Sequence, residues 1–344
     1  MIHLLPILRR WASEAAALLL LVLAACGPPA RLPEPDNIFW PLPPERPRIK
    51  YVQSIYSEDD IGRVYSFSEK LFGKDYFDAV ARPYGVSARR GKVYVSDLVL
   101  RRVLVFDYAA RRMITVGQEG CFQNAAAAVS DAAGNIYVAD SVGAKICVYG
   151  AQGNHITSFA VEGAKPVGLA ISDALGRLYM VDRAMHRVVV LGLDGKRLFE
   201  FGGRGNVNGR FNIPLDITID AQGTVYVLDN GNFRVQLFTP DGEYLSKFGT
   251  VGDRPGTFAN PKGIAVDSDG HIYVTDAAFS NIQIFDREGN ILLFVGELGA
   301  WAGNMQLPAG IAIDENDRIY VADQLNARVQ VFQYLKEPIP GKGP

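Results

Sequence analysis

The sequence has few of the residues from which redox and zinc sites are usually built. Its 344 residues include three cysteines and four histidines. The cysteines are too widely spaced for a CxxC pair or a CxxCH haem-attachment motif. A glycine-rich phosphate loop and a GxSxG nucleophile elbow are also missing. These absences argue against a thiol oxidoreductase, a c-type haem protein and an α/β-hydrolase.

Neither sign of charge dominates the chain. Lysine and arginine total 35 and aspartate and glutamate total 37, so the formal net charge is −2. A protein that binds nucleic acid needs a basic face to meet the phosphates. We therefore expect no nucleic-acid partner. No long hydrophobic run is present either, because the apolar stretch over 15–25 is too short for a good transmembrane helix.

That short apolar stretch has the features of an export signal. It follows Arg9 and Arg10, as in a secretory signal peptide. Leu23-Ala24-Ala25-Cys26 resembles a bacterial lipobox, which predicts a signal peptide over 1–25 and a lipidated Cys26. Gly27, rather than aspartate, after the cysteine favours the outer membrane, so we expect a lipid-anchored protein of the cell envelope that faces the periplasm or the cell surface. The alternative is an ordinary secretory signal with an unrelated cysteine.

A proline-rich segment follows the predicted lipidation site. Residues 26–47 hold eight of the 19 prolines, which predicts an extended tether. Ile38, Phe39 and Trp40 interrupt it and are expected to pack on the following domain, since three large apolar side chains together rarely stay in water. We place the folded domain at 48–337 and a C-terminal tail at 338–344.

The remaining sequence is a repeat. Six segments share an apolar run, a turn and an aromatic-Val-x-Asp strand of the kind seen in IYVTD over 272–276. Successive units are 42 to 47 residues apart, and each encodes four short strands joined by hairpin turns. This spacing predicts an all-β, six-bladed propeller. The aspartates that end the second strands are Asp97, Asp140, Asp182, Asp229, Asp276 and Asp323.

The last unit contains only three strands before the chain ends. The apolar segment over 48–56 is available at the other end of the domain. We expect it to pair with the third strand of the last unit as its fourth strand, because this closure leaves no unpaired blade.

The turn between the first and second strands resembles the start of a calcium loop. In the fifth unit it reads Asp267-Ser268-Asp269-Gly270. Five of the six units carry aspartate at the Asp267 position, and none has the later bidentate acid that a calcium loop needs. The pattern therefore predicts a hairpin turn, with glycine supplying a positive φ.

The consensus xPxGIAVDxxGxIYVxDxxNxRVQVF closely resembles the NHL repeat, from about residue 48 to 335. The clearest matches are the segments over 261–276 and 308–323. This resemblance implies a six-bladed propeller, and the segment WPLPPERPRIKYV ahead of the repeats resembles that of bacterial six-bladed propeller lipoproteins. Relatives of the repeat include partner-binding domains and, more distantly, gluconolactonase-like hydrolases and peptidyl-hydroxyglycine lyases, so the fold does not by itself imply one function.

The blade aspartates are expected to be structural. Each is followed five residues later by a polar residue, which is basic in five of the six units, as in Asp229 and Arg234. Six such pairs around a pseudo-sixfold axis favour a scaffold role over six active sites. His155, His186 and His271 occupy different positions of the repeat, so we expect no shared zinc site.

Chemistry would be expected where the first strands enter the central channel. Only one of the six equivalent positions is polar; the set is Gly85, Ala127, Gly168, Asp216, Gly263 and Gly310. One carboxylate is a poor cage for a divalent ion, so we expect no metal, no cofactor and no catalytic residue. A metal-dependent hydrolase or lactonase that uses Asp216 is the alternative.

The loop face around the channel is the expected binding surface, since propellers carry their binding groups on loops. We predict a non-catalytic scaffold for an unknown protein or small ligand of the cell envelope. Whether Cys121 and Cys147 form a disulfide is left open. The candidate binding residues are Arg82, Tyr84, Arg183, His186, Arg204, Asp216, Phe233, Lys262 and Trp301.

Overall fold

The computed structural model describes residues 37–336, except 43, 68, 70–78 and 118–119. The predicted signal peptide, Cys26, residues 27–36 of the proline-rich segment and the C-terminal tail lie outside the described residues. No helix within the described ranges is long and apolar enough to cross a membrane. Short 3₁₀ helices occur at Glu58–Ile61 and Asn230–Asn232.

Five of the six sheets in the described part of the chain have four antiparallel strands in sequence order. Blade 1 contains β3 (Pro83–Arg89), β4 (Lys92–Asp97), β5 (Arg102–Asp107) and β6 (Arg112–Val116). Blade 2 contains β7 (Ala125–Ser130), β8 (Ile136–Asp140), β9 (Lys145–Tyr149) and β10 (His155–Ala160). Blade 3 contains β11 (Pro166–Ser172), β12 (Arg177–Asp182), β13 (Arg187–Gly192) and β14 (Arg197–Gly202).

The second half of the chain continues the same pattern. Blade 4 contains β15 (Pro214–Ile219), β16 (Val225–Asp229), β17 (Arg234–Phe238) and β18 (Tyr244–Phe248). Blade 5 contains β19 (Pro261–Val266), β20 (Ile272–Asp276), β21 (Asn281–Phe285) and β22 (Ile291–Val295). Blade 6 contains β23 (Pro308–Ile313), β24 (Arg318–Asp323), β25 (Arg328–Tyr334), β2 (Ile49–Ile55) and β1 (Phe39–Trp40). The predicted six-bladed, all-β propeller is confirmed.

The ring is closed by the amino-terminal strand, as predicted. Strand β2 pairs antiparallel with β25, with Ile49 opposite Tyr334 and Ile55 opposite Val329. The innermost strands also form an unbroken circle, in which β23 of the last blade contacts β3 of the first. Strand β1 adds a short fifth strand outside β2. Its Trp40 packs edge-to-face on Phe332 with ring centroids 5.7 Å apart, so part of the proline-rich segment belongs to the folded domain.

Apolar side chains fill the interfaces between neighbouring blades. Each second strand supplies a buried tyrosine, and in blades 4 to 6 its hydroxyl donates to the aspartate of the preceding turn.

In blade 5, Asp267 Oδ1 accepts the main-chain N–H groups of Asp269 and His271, and its Oδ2 accepts the Tyr273 hydroxyl at 3.0 Å. Gly270 has a φ of 88°. The calcium-like sequence is therefore a hairpin turn, as predicted.

The aspartate that ends each second strand is fully buried in all six blades. Every one accepts a main-chain N–H from the segment that leads into the first strand of its own blade. In blade 4, for example, Asp229 Oδ1 accepts the N–H of Asn212 at 2.7 Å. The N–H groups used in the six blades come from Arg82, Asn124, Lys165, Asn212, Asn260 and Gln306.

The expected pairing with the residue five positions later is found in only half of the blades. Ion pairs form in blades 3, 4 and 6, where an arginine Nε lies 2.8 to 3.1 Å from the carboxylate. Arg102 and Lys145 in blades 1 and 2 make no such pair among the described residues, and blade 5 has Asn281 instead of a cation. The main-chain hydrogen bonds, rather than the ion pair, are thus the common feature of the repeat.

We expect Asp229→Ala to lower the free energy of unfolding by about 3 kcal/mol or more, because it leaves Arg234 buried without its counter-ion. The measurement is thermal and urea unfolding followed by circular dichroism. Asp241→Ala is the matched control, since the Asp241 side chain is 72% exposed and should matter little. Equal melting temperatures for the Asp229 variant and the unaltered protein would contradict a structural role.

Candidate functional site

The inner strands approach one another so closely that most positions at the centre must be small. A Cβ atom added to Gly263 would lie 2.6 Å from the carbonyl oxygen of Ala309, and one added to Gly310 would lie 2.7 Å from that of Tyr84. Real Cβ atoms do not approach carbonyl oxygens this closely. Five of the six central positions are therefore glycine or alanine, and Asp216 is the one exception.

A cavity of about 240 Å³ lies at this centre, between the six inner strands. Each inner strand has a register shift just after its first residue. Such bulges change the direction in which side chains point. The residues at the shift are apolar in four blades, but they are Tyr84 in blade 1 and Lys262 in blade 5, and both line the cavity. Tyr84, Asp216 and Lys262 therefore bring polar groups from three different blades to the cavity.

Asp216 connects two blades. Its Oδ2 accepts the N–H of Ile264 from the next inner strand at 3.0 Å. Burial raises the pKa of Asp216 to about 7, and hydrogen bonds from the N–H groups of Ile264 and Ile217 oppose this rise only in part. The carboxyl group is therefore poised between its charged and neutral forms near neutral pH, which is common in functional sites although structural groups also show it.

Tyr84, Asp216 and Lys262 line the cavity, and Arg183 lies close enough to Tyr84 and Lys262 to affect their charge. Burial raises the pKa of Tyr84, the charge of Asp216 adds to this rise, and Arg183 opposes it. Burial lowers the pKa of Lys262, Arg183 lowers it further, and Asp276 opposes both. We call these four residues, Tyr84, Arg183, Asp216 and Lys262, the mouth cluster. It combines a partly buried lysine, an exposed arginine and a weakly acidic carboxyl group.

Two more of the nine predicted binding residues have structural contacts. His186 Nδ1 accepts the N–H of Ile213 at 2.9 Å and so joins blade 3 to blade 4. Phe233 has a φ of 55° and packs against the apolar cluster between blades 4 and 5. Neither side chain belongs to the mouth cluster.

The other three predicted residues lie farther out on the loop face. Arg82 and Arg204 are exposed in the segments that lead into blades 1 and 4. Trp301 is 60% exposed in the corresponding segment of blade 6, where its carbonyl oxygen accepts from Arg328. The structure therefore places three of the nine predicted residues around the central cavity, with Arg183 exposed nearby, and leaves the others as separate surface or packing groups.

Some features of the molecule were not evident from sequence. Cys121 and Cys147 form a disulfide, which joins the segment before blade 2 to its third strand. Arg89 lines the central cavity from the ends of the inner strands opposite the mouth cluster. The sequence signal for Arg89 was its place at the end of β3, because the inner strands of blades 2 and 3 end in serine. Within the described residues no three histidine, cysteine, aspartate or glutamate side chains are close enough together to hold a metal ion.

Comparison with known proteins identifies the repeat. The NHL repeat family matches residues 211–238, 258–285 and 305–332, which lie in blades 4, 5 and 6. No curated protein matches the chain. The three solved structures named below are all less than 20% identical to this chain, and at this identity a structural similarity shows the fold alone.

Three solved structures illustrate the range of proteins with this fold. A Bacteroides thetaiotaomicron protein of unknown function is 18% identical, with a TM-score of 0.61 over 83% of this chain and 75% of its own. An auxiliary nutrient binding protein from the same organism is 12% identical, with a TM-score of 0.58 over 75% and 70%. Inactive virginiamycin B lyase from Staphylococcus aureus, solved with quinupristin, is 15% identical, with a TM-score of 0.56 over 74% and 96%.

We expect Asp216→Asn to become more stable relative to the unaltered protein as pH rises. The folded pKa of Asp216 lies above its ordinary value of 3.8, so the folded state binds the proton more tightly and stability falls as pH rises from about 4 to about 7. Asparagine keeps an acceptor for the Ile264 N–H and does not ionise. The difference in unfolding free energy between Asp216→Asn and the unaltered protein should grow by about 2 kcal/mol over this pH range. This is less than the raised pKa alone would give, because solvent in the cavity screens part of the effect. Urea unfolding at pH 4.5, 6 and 8 measures it, and a difference independent of pH would contradict the raised pKa.

Proposed function

We propose that this six-bladed propeller, built from NHL repeats, is a non-catalytic binding protein that holds an oxyanion of its ligand in the mouth cluster. The observation that carries this proposal is the position of Lys262 and Arg183. Both are cations, burial lowers the pKa of Lys262, and neither has an acidic partner among the ion pairs of the described residues. A carboxylate or phosphate group would neutralise this charge.

The other members of the mouth cluster fit the same role. The hydroxyl of Tyr84 is a hydrogen-bond donor for a bound oxyanion. Asp216 has a pKa of about 7, so near neutral pH it is partly uncharged and repels an anion less than an ordinary carboxylate would. Its Oδ2 is already bonded to the N–H of Ile264, which supports a positioning role for Asp216. Charge-assisted hydrogen bonds from lysine and arginine would supply most of the affinity.

The fold is compatible with ligand binding and with catalysis. One neighbour in the comparison is an auxiliary nutrient binding protein and another is a lyase solved with quinupristin. The described residues that line the central cavity include a single carboxylate, Asp216, and this donor set suits a binding site better than a divalent metal centre. The metal-dependent lactonase remains the second candidate because the raised pKa of Asp216 is also typical of catalytic acids.

We also propose that the protein works at the cell envelope, held to the membrane by a lipid on Cys26. Support comes from Arg9, Arg10, the short apolar stretch and the Leu-Ala-Ala-Cys sequence that follows. The ligand would then be an envelope protein or a small molecule, with no nucleic acid involved. The prolines that follow Cys26 are typical of an extended spacer.

We expect Lys262→Met to bind small oxyanions at least about tenfold more weakly, because it removes a charge-assisted hydrogen bond. The probes are succinate and inorganic phosphate at constant ionic strength, with binding measured by calorimetry. The same variant should melt at a slightly higher temperature without ligand, since methionine avoids the cost of burying an ammonium group. A merely structural lysine would not give both effects.

Lys196→Met is the matched control, because Lys196 is exposed in the turn between β13 and β14. It should bind the anions as the unaltered protein does. Equal weakening in both variants would overturn the mouth cluster as the site. Hydrolysis of a lactone that depends on calcium and is lost in Asp216→Ala would favour the lactonase instead.

For the anchor, we expect the full chain made in a lipoprotein-processing bacterium to begin at an acylated Cys26. Mass spectrometry of the amino-terminal peptide measures this modification, and Cys26→Ser should abolish it and release the protein from the membrane fraction. An unacylated terminus at another residue would overturn the lipid anchor but leave the oxyanion site untouched.

A further inference from the structure

The repeat arginine of blade 4 occupies a well-defined slot between β17 and the loop that leads into its own blade. Arg234 Nε donates to Asp229 at 2.8 Å. Its Nη2 donates to the carbonyl oxygens of Val207 and Arg210 at 3.0 and 2.7 Å. Because Arg234 is only 5% exposed, the slot encloses almost the whole guanidinium group.

Blade 6 repeats this arrangement. Arg328 Nε donates to Asp323 at 2.8 Å, and its Nη2 donates to the carbonyl oxygens of Trp301 and Asn304 at 2.9 and 2.8 Å. Arg328 is 2% exposed. The two blades share one carboxylate and two loop carbonyl oxygens as acceptors for the guanidinium group, and in blade 4 the Nη1 of Arg234 also donates to the carbonyl oxygen of Asn206 at 2.8 Å.

Blade 5 keeps the loop but lacks the arginine. Gln283 Nε2 donates to the carbonyl oxygen of Thr257 at 2.8 Å, just as Gln236 and Gln330 do in blades 4 and 6. The N–H of Thr257 donates to the carbonyl oxygen of Arg254, and this bond also matches the other two loops. The carbonyl oxygens of Arg254 and Thr257 thus have the positions that bind guanidinium in blades 4 and 6. The residue at the arginine position is Asn281.

A cavity of about 220 Å³ lies where the arginine would be. Its lining includes Asp253, Arg254, Phe279, Asn281, Gln283 and Phe294. Asn281 Oδ1 is buried and has no hydrogen-bond partner. Leaving such an acceptor unpaired costs free energy, which a donor entering the cavity would recover.

The carboxylate beside this cavity also lacks its usual cation. Asp276 is fully buried, and it accepts main-chain N–H groups from Ala259, Asn260 and Ala278. No lysine or arginine of the described residues forms an ion pair with it. In blades 4 and 6 an asparagine side chain also donates to the carboxylate, but blade 5 has Phe279 at that position. A buried carboxylate without a counter-ion favours the binding of a cation.

We propose that this cavity, which we call the blade 5 slot, binds the guanidinium group of an arginine side chain from a partner protein. Guanidinium is favoured over ammonium because it is planar and presents several N–H donors to oxygens on different sides. Phe279 and Phe294 line the slot, and aromatic rings attract guanidinium groups. The slot and the mouth cluster share no residue, and Asp276 of the slot also acts on the charge of Lys262.

The first test titrates the isotope-labelled mature protein with Nα-acetyl-arginine amide and follows the main-chain amide signals by NMR. We expect saturable shifts at Gly256, Gln283 and Phe294, with affinity in the millimolar range for this single side chain. Nα-acetyl-citrulline amide is the matched probe, because it has nearly the same shape without the charge. It should bind at least tenfold more weakly, and equal shifts with both probes would overturn the proposal.

The second test fills the slot with an arginine side chain of the protein itself. Asn281→Arg should form the ion pair with Asp276, raise the melting temperature and abolish the response to the arginine probe. Asn281→Gln is the control that leaves the slot without a cation, so it should keep the response. A lower melting temperature together with unchanged probe binding in Asn281→Arg would overturn the assignment. Arg254→Ala should keep the response too, and its loss would show that Arg254, rather than an incoming side chain, defines the site.

A variant of blade 4 tests the same slot geometry if Asn281→Arg does not fold. Arg234→Asn creates the same vacancy in blade 4. We expect it to melt at a lower temperature, to gain probe-induced shifts at Gly209 and Gln236, and to recover part of its stability when the probe is added. Failure of the folded variant to respond to the probe would show that the slot geometry does not recognise guanidinium.

Discussion

The buried aspartate at the end of each second strand is the interaction on which the propeller depends. In all six blades its carboxylate accepts a main-chain N–H from the segment that enters the same blade. This bond holds the connection between blades against the second strand and satisfies donors that would otherwise be buried without partners. The ion pair with a following arginine is an addition that three blades make.

Close approach of the inner strands is the second constraint, and it follows from closing six sheets around one axis. Backbone atoms of neighbouring strands leave no room for a Cβ at Gly263 or Gly310. A polar side chain at the centre is therefore unusual, and the carboxylate of Asp216 accepts the N–H of Ile264 from the next inner strand. The poorly hydrated surroundings that result also change the acidity of Tyr84 and Lys262.

Both proposed sites arise where one blade departs from the repeat. Lys262 replaces an apolar residue at the bulge of an inner strand, and Asn281 replaces the arginine that blades 3, 4 and 6 use. A repeated scaffold makes such departures informative, because the other blades show what the unmodified position does. The mouth cluster adds charge to an apolar position, whereas the blade 5 slot removes a cation and leaves its acceptors in place.

The sequence alone determined the architecture. The spacing of the aromatic-Val-x-Asp strands predicted the number of blades, and the incomplete last unit predicted that 48–56 would complete it, because both depend on local patterns that every blade repeats. The turn at Asp267 was also predictable, since its hydrogen bonds lie within four residues.

Only the tertiary structure decided which residues meet. Tyr84, Arg183, Asp216 and Lys262 come from four blades, and nothing in their spacing separates them from Arg82, Arg204 or Trp301. The disulfide between Cys121 and Cys147 likewise depends on how a loop folds back on a strand. The missing arginine at Asn281 is recognised only by comparison with the slots that Arg234 and Arg328 fill. The sequence does not show that the carboxylate and carbonyl acceptors of such an arginine remain in position in blade 5.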